Sequence, residues 1–159
     1  MEDVFDIEIC NDPYQEKARG LINKFEELRH VDAKSILFVM NKKGAKKTVP
    51  GKISKVPEKW REIMFQMGCP AYFFMVEFSE KSFAMLNDAQ RIALIYHEIR
   101  KIDLNGNLRD PDVHEWVQIL YGLGRYWNQP DTTCPNLLDD DVDWQTLMGS
   151  YYEQPLPME

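Results

Sequence analysis

Cysteine is scarce in this chain of 159 residues: Cys10, Cys69 and Cys134 are odd in number, widely separated and form no C-x-x-C pair. That argues against a disulfide framework and a cysteine zinc site, and it suits a reducing compartment. Histidine is scarcer in its consequences, because His30, His97 and His114 are the only imidazoles available to any site. Long apolar runs are missing as well. No segment approaches the ~20 apolar residues of a membrane span, and the acidic start MEDVFDIEIC lacks the apolar stretch of a secretory signal, so the expected location is cytoplasmic. Positive charge is outweighed, with 19 Lys and Arg against 26 Asp and Glu and a formal charge of −7. Direct nucleic-acid binding, which depends on cations displacing the counterions of phosphate, is therefore not expected. A P-loop, a dinucleotide fingerprint, a nucleophile elbow and a cysteine-nucleophile setting are all lacking, which removes the commoner enzyme classes.

What is present suits one packed unit. The chain is 44% hydrophobic and rich in aromatic residues, enough for a core that needs no covalent staples. Its charges are clustered: Lys42, Lys43, Lys46, Lys47, Lys52 and Lys55 lie close together, and Asp139, Asp140, Asp141 and Asp143 lie near the C-terminus. A solvated hairpin and a solvated tail are the ordinary accounts of such runs.

Periodicity divides the chain further. NDPYQEKARGLINKFEELRHV predicts an amphipathic helix with Asp12 as cap, Pro13 in its first turn and His30 at its cation-favouring end. SILFVMN and VPGKISKVP predict a hairpin turning at Gly44, with its second strand nearer solvent. PEKWREIMFQMG predicts a short helix with Trp60, Ile63, Met64 and Met67 on one side, and AYFFMVEF predicts a central strand buried on both faces. NDAQRIALIYHEIRKID follows as a long helix opened by an Asn87 and Gln90 capping box. DPDVHEWVQILYGLGRYW predicts a last helix, capped by Asp110. Residues 1–127 are thus expected to form the domain, and residues 128–159 an acidic, Pro-containing tail partly docked through Leu137, Leu138, Trp144 and Tyr151.

Within the long helix, Ile92, Ile95, Ile99 and Ile102 share one side while Ala93, Leu94, His97 and Lys101 share the other. Both faces are apolar, so His97 points inward. The spelling HEIRK at His97 to Lys101 begins like HExxH, in which two histidines four residues apart grip one zinc and the intervening Glu activates its water. His97 and Glu98 fill the first two roles. Lys101 stands where the second histidine belongs, and an ammonium has no lone pair to give a metal. A site made of His97, His114 and a carboxylate such as Glu115 remains open, since zinc accepts mixed His and Glu ligation, with Glu98 as base if the site is active. The ordinary alternative is a buried His97 held by a hydrogen bond, with Glu98 and Lys101 forming an i,i+3 ion pair.

The order of elements, with ALIYHEI followed by DVHEW, resembles the phage metallopeptidase family, itself similar to the zincin and SprT-like proteins; the likeness runs from about Val31 to Trp127. The resemblance implies a zincin-like α+β fold: a small twisted sheet of about three strands packed against an N-terminal helix and an HExxH-type helix, then a further helix and the acidic tail. It implies zinc as cofactor, His97 as first ligand, Glu98 as general base, and a downstream ligand within Asp112 to Glu115, with His114 the choice and Glu115 the alternative. Lys101 departs from that pattern, so the expectation is an inactive metallopeptidase-like protein that binds a host or phage protein. Asp139, Asp140, Asp141, Asp143 and Trp144 are the candidate contact residues. An active zinc peptidase using His97, His114 and Glu115, and an α+β domain with a structural His97, are the competing readings.

Overall fold

The computed structural model describes residues 5–43, 49–111 and 115–149. Four strands form one mixed sheet: β1 (Ile7–Ile9), β2 (Ile36–Asn41), β3 (Gly51–Lys55) and β4 (Phe74–Ser79), in the order β1-β2-β4-β3. β2 and β4 run parallel, and the two outer pairs are antiparallel. The predicted hairpin of β2 and β3 does not form, because β4 lies between them. The apolar β4 offers both neighbours a more buried pairing surface than the lysine-bearing β3 offers β2. Val76 lies opposite Phe38 on one side and Ile53 on the other, and all three are at most 3% exposed. β4 is central, as its composition predicts, yet only Phe74, Val76 and Phe78 are buried while Met75, Glu77 and Ser79 are half-buried. β1 is a fourth strand that its three exposed residues do not announce.

Helices cover one face of this sheet. α1 (Asn11–Lys24) starts one residue before Asp12 and is not capped by it. Instead Asn11 bridges to the sheet, its Oδ1 accepting from Phe38 N at 2.7 Å and its Nδ2 donating to Tyr72 Oη at 3.0 Å. A 3-10 turn (Glu26–Leu28) replaces the expected end of the helix, and a second one (Ala33–Ser35) leads into β2. α4 (Asp88–Ile99) is the central helix, following α2 (Glu58–Gln66) and a short α3 (Glu80–Phe83). It carries the predicted capping box, with the Asn87 side chain accepting from Gln90 N and the Gln90 side chain accepting from Asn87 N. Ile92, Ala93, Leu94, Ile95, Tyr96 and Ile99 are each at most 3% exposed, so α4 is buried on both of its apolar faces. Replacing Asn87 with Ala removes one reciprocal bond of the box and should cost about 1 kcal/mol in denaturant unfolding.

Two elements depart from expectation. α2 buries none of its residues, and Trp60, on the apolar side that the spacing predicts, is 57% exposed. The last predicted helix shrinks to α5 (Val117–Gly122). Trp116, which would extend it, is fully buried, with its indole N–H donating to His97 O at 2.9 Å and its backbone N–H donating to the Glu115 side chain. Gly124, at φ +92°, closes the other end in a conformation that disfavours other residues.

Beyond Trp127 the chain packs back onto α1 and α4. Leu137 is fully buried and Met148 is 2% exposed, while Leu138 lies against Gly20 and Trp144 against Gly122. Gln90 Nε2 donates to the carbonyls of Trp127 at 2.9 Å and Gln129 at 2.6 Å, which anchors this segment to the start of α4. A short α6 (Trp144–Leu147) follows. Gly44, Lys46, Lys47, Tyr151 and the candidate ligand His114 lie outside the described residues.

Candidate functional site

The HEIRK segment straddles the end of α4. Arg100 N still donates to Tyr96 O, but Lys101 N donates to Glu98 O and Ile102 N to Ile99 O, each at 3.1 Å. These three-apart bonds tighten the backbone and carry the fifth motif position off the helical spiral. Lys101 consequently reaches Glu98 rather than stacking beneath His97. Its Nζ lies 3.1 Å from both Glu98 oxygens.

Glu98 is 2% exposed, so its charge has to be met from within the protein. Its Oε1 accepts from Ile53 N at 3.0 Å, on the side of β3 that faces away from β4. Its Oε2 lies 2.5 Å from His97 Nδ1. The other ring nitrogen, His97 Nε2, lies 2.9 Å from Glu115 Oε1. Glu115 is itself positioned by tryptophans, its Oε1 accepting from Trp116 N at 2.9 Å and its Oε2 from Trp127 Nε1 at 3.1 Å. The Trp127 ring also packs beside the imidazole, with centroids 6.2 Å apart.

Lys101, Glu98, His97 and Glu115 therefore form a row of alternating charge. Carboxylates accept hydrogen bonds and do not donate them, so an imidazole facing one on each side holds protons on both nitrogens. Burial alone disfavours the charged ring. The hydrogen bonds to Glu115 and Glu98, reinforced by their charges, outweigh that penalty and push the His97 pKa up to about 9. Burial likewise opposes ionisation of Glu98, but His97, Lys101 and the Ile53 N–H together hold its carboxyl below the usual range. The row sums to zero charge, and its members satisfy one another in a site where unpaired ions would be costly.

His97, Glu98, Lys101 and Glu115 are thus brought together from one short stretch and a loop. His30 is elsewhere: its Nε2 donates to Ile102 O at 2.6 Å, bracing the turn after α4 rather than capping its own helix. The acidic candidates near the C-terminus are partly structural. Asp143 caps α6 by accepting from Thr146 N, Lys24 Nζ donates to the Asp139 carbonyl, and Asp140 and Asp141 are exposed. Trp144 is engaged internally, its indole N–H donating to Glu27 Oε1 at 2.7 Å and its ring lying 5.2 Å from Phe25 and 5.1 Å from Tyr96. Sequence reasoning missed Trp116, Trp127 and the Ile53 backbone. The adjacency of Glu115 and Trp116 was a signal for the first; nothing local marks the third.

A family model described as "Putative phage metallopeptidase" matches residues 7–152. No curated protein and no solved structure matches the chain.

Proposed function

We propose, from the premise that this chain belongs to the phage metallopeptidase family, that it keeps the family's frame without zinc-dependent hydrolysis. It acts by binding a host or phage protein, as a host-takeover or anti-defence accessory factor.

The observation that carries this reading is the saturation of Glu98. A general base needs an oxygen within reach of a water, and both Glu98 oxygens are already held by Ile53 N, His97 and Lys101. The donor chemistry supports it too. A zinc ligand must offer a lone pair; His97 directs its two nitrogens at two carboxylates, and Lys101 has none to offer. These donors support a site that does not take the family's implied zinc, two cations of the protein's own answering the carboxylates instead.

Elemental analysis of the native protein tests this reading. The expected result is well under one zinc per chain, and no peptide cleavage that Glu98→Ala abolishes. Stoichiometric zinc together with cleavage lost in Glu98→Ala would overturn it in favour of an active peptidase using His97, His114 and Glu115. Lys101→His adds a second reading: restored zinc uptake in that variant would identify Lys101 as the residue that displaced the metal.

A further inference from the structure

Glu27 and Arg100 are half-buried charges of opposite sign that share one hydroxyl without meeting. The Tyr96 O–H donates to Glu27 Oε1 at 2.7 Å, and Arg100 Nη1 donates to the same hydroxyl oxygen at 2.9 Å. Yet the carboxylate and the guanidinium form no ion pair, and among the described residues neither has a charged partner. Neutral groups fix them instead. Glu27 Oε1 also accepts from Trp144 Nε1 at 2.7 Å, while Arg100 Nη1 also donates to Gln118 Oε1 at 2.6 Å and its guanidinium lies 4.5 Å from the Trp116 ring centroid. Such partners hold the two charges in place and cancel neither, so both remain available to a ligand.

Both side chains line a cleft of about 340 Å³, at the small end of the ~300–1,000 Å³ common for small-molecule sites. His30, Asp103 and Arg109 are its other ionisable lining groups. Asp103 Oδ1 accepts from the backbone N–H groups of Asn105 and Asn107, each at 2.9 Å, the Arg109 guanidinium lies 5.1 Å from the Trp116 ring centroid, and His30 Nε2 is engaged by Ile102 O. A simple anion in this cleft would face Glu27 and Asp103, and a simple cation would face Arg100 and Arg109; like-charge juxtaposition of that kind is costly. A molecule carrying both charges escapes both penalties. The cleft also has an apolar part, since Ile102 lines it together with Leu104, which is 83% exposed.

We propose that this cleft binds a free α-amino acid with an apolar side chain. The ligand carboxylate accepts from the Arg100 N–H groups not spent on Tyr96 and Gln118, its ammonium donates to Glu27 Oε2, and its side chain covers Leu104. An α-amino acid carries its two charges on either side of one carbon. It can therefore span a gap too long for a direct ion pair yet bridged by a single hydroxyl. The site lies on the Tyr96 and Arg100 side of α4 and uses no residue of the His97 row, so it stands apart from the proposed function.

Isothermal titration calorimetry of the full chain with L-leucine tests this, with one site per chain and a Kd below about 1 mM expected. Isocaproate, which is leucine without its ammonium, and isoamylamine, which is leucine without its carboxylate, should each bind at least about tenfold more weakly. Glu27→Gln keeps an acceptor for Tyr96 and Trp144, so its circular dichroism should match the native chain while leucine binding weakens at least about tenfold. Arg100→Gln should weaken it by as much. The indole N–H resonance of Trp144, which donates to Glu27, should shift when leucine is added to isotope-labelled protein. Absence of both heat and shift with leucine, methionine and phenylalanine up to about 10 mM overturns the proposal. Isocaproate binding as tightly as leucine would make the cleft an anion site, and leucine binding unchanged in Glu27→Gln would place the ligand elsewhere; either result overturns it as well.

Discussion

Glu98→Ala is expected to destabilise the protein by about 3–5 kcal/mol, the range seen when one partner of a buried ion pair is removed. The loss has three sources, all visible in the contacts of this carboxylate. The Ile53 N–H loses its acceptor at the outer edge of β3, the Lys101 ammonium loses its counter-ion, and the imidazolium of His97 keeps only Glu115. Glu98→Gln should cost less, because its amide oxygen can still accept from Ile53 while the charge is gone. Urea unfolding followed by tryptophan fluorescence measures both variants. A loss below about 1 kcal/mol for Glu98→Ala would mean that the row is not a structural element, and would reopen a catalytic role for the residue.

The second large effect is a dependence of stability on pH that falls on the alkaline side. His97 is ordinarily half-protonated near 6.5 but near 9 in the folded protein, so the folded state binds the extra proton between those values. The stability this contributes is fully present below pH 6.5 and is lost as pH rises through about 9. Its size is on the order of 3 kcal/mol. Glu98 acts in the opposite sense: its carboxyl is held below the ordinary value of 4.5, so its contribution is present above that value and is lost in acid. The combined contribution of these two groups should therefore be greatest between about 4.5 and 6.5. Denaturant unfolding at pH 6 and pH 9, on the native chain and on His97→Gln, checks this. The variant should lose most of the decline, and equal slopes in the two proteins would count against the protonated clamp.

How much of this could be read beforehand depends on whether the cause was local. The capping box of Asn87 and Gln90, a strand in AYFFMVEF and the double-faced burial of α4 are written within a few residues, and all three are found in the structure, the strand starting only at Phe74. Strand order is not local. The apolar runs that form β2 and β4 say that both are inside, but nothing in either says that β4 inserts between β2 and β3. The exposed α2 fails for a related reason. Trp60, Ile63, Met64 and Met67 have helical spacing, and spacing predicts a face without saying whether anything covers it. In the site, the pairing of Lys101 with Glu98 follows from their separation. The junction between His97 and Glu115 required a loop to return, and the tightening of the backbone after Ile99 was hidden by an apolar pattern that runs on to Ile102.

The buried amide of Gln90 joins two parts of the chain that sequence distance keeps apart. Its oxygen closes the first turn of α4, while its nitrogen holds the carbonyls of Trp127 and Gln129. Rotating that one side chain out of place releases both ends of the connection at once. The first turn of the helix and the turn beyond Trp127 are therefore expected to open and reclose together, and Gln90→Ala should speed hydrogen exchange of the amide protons in both.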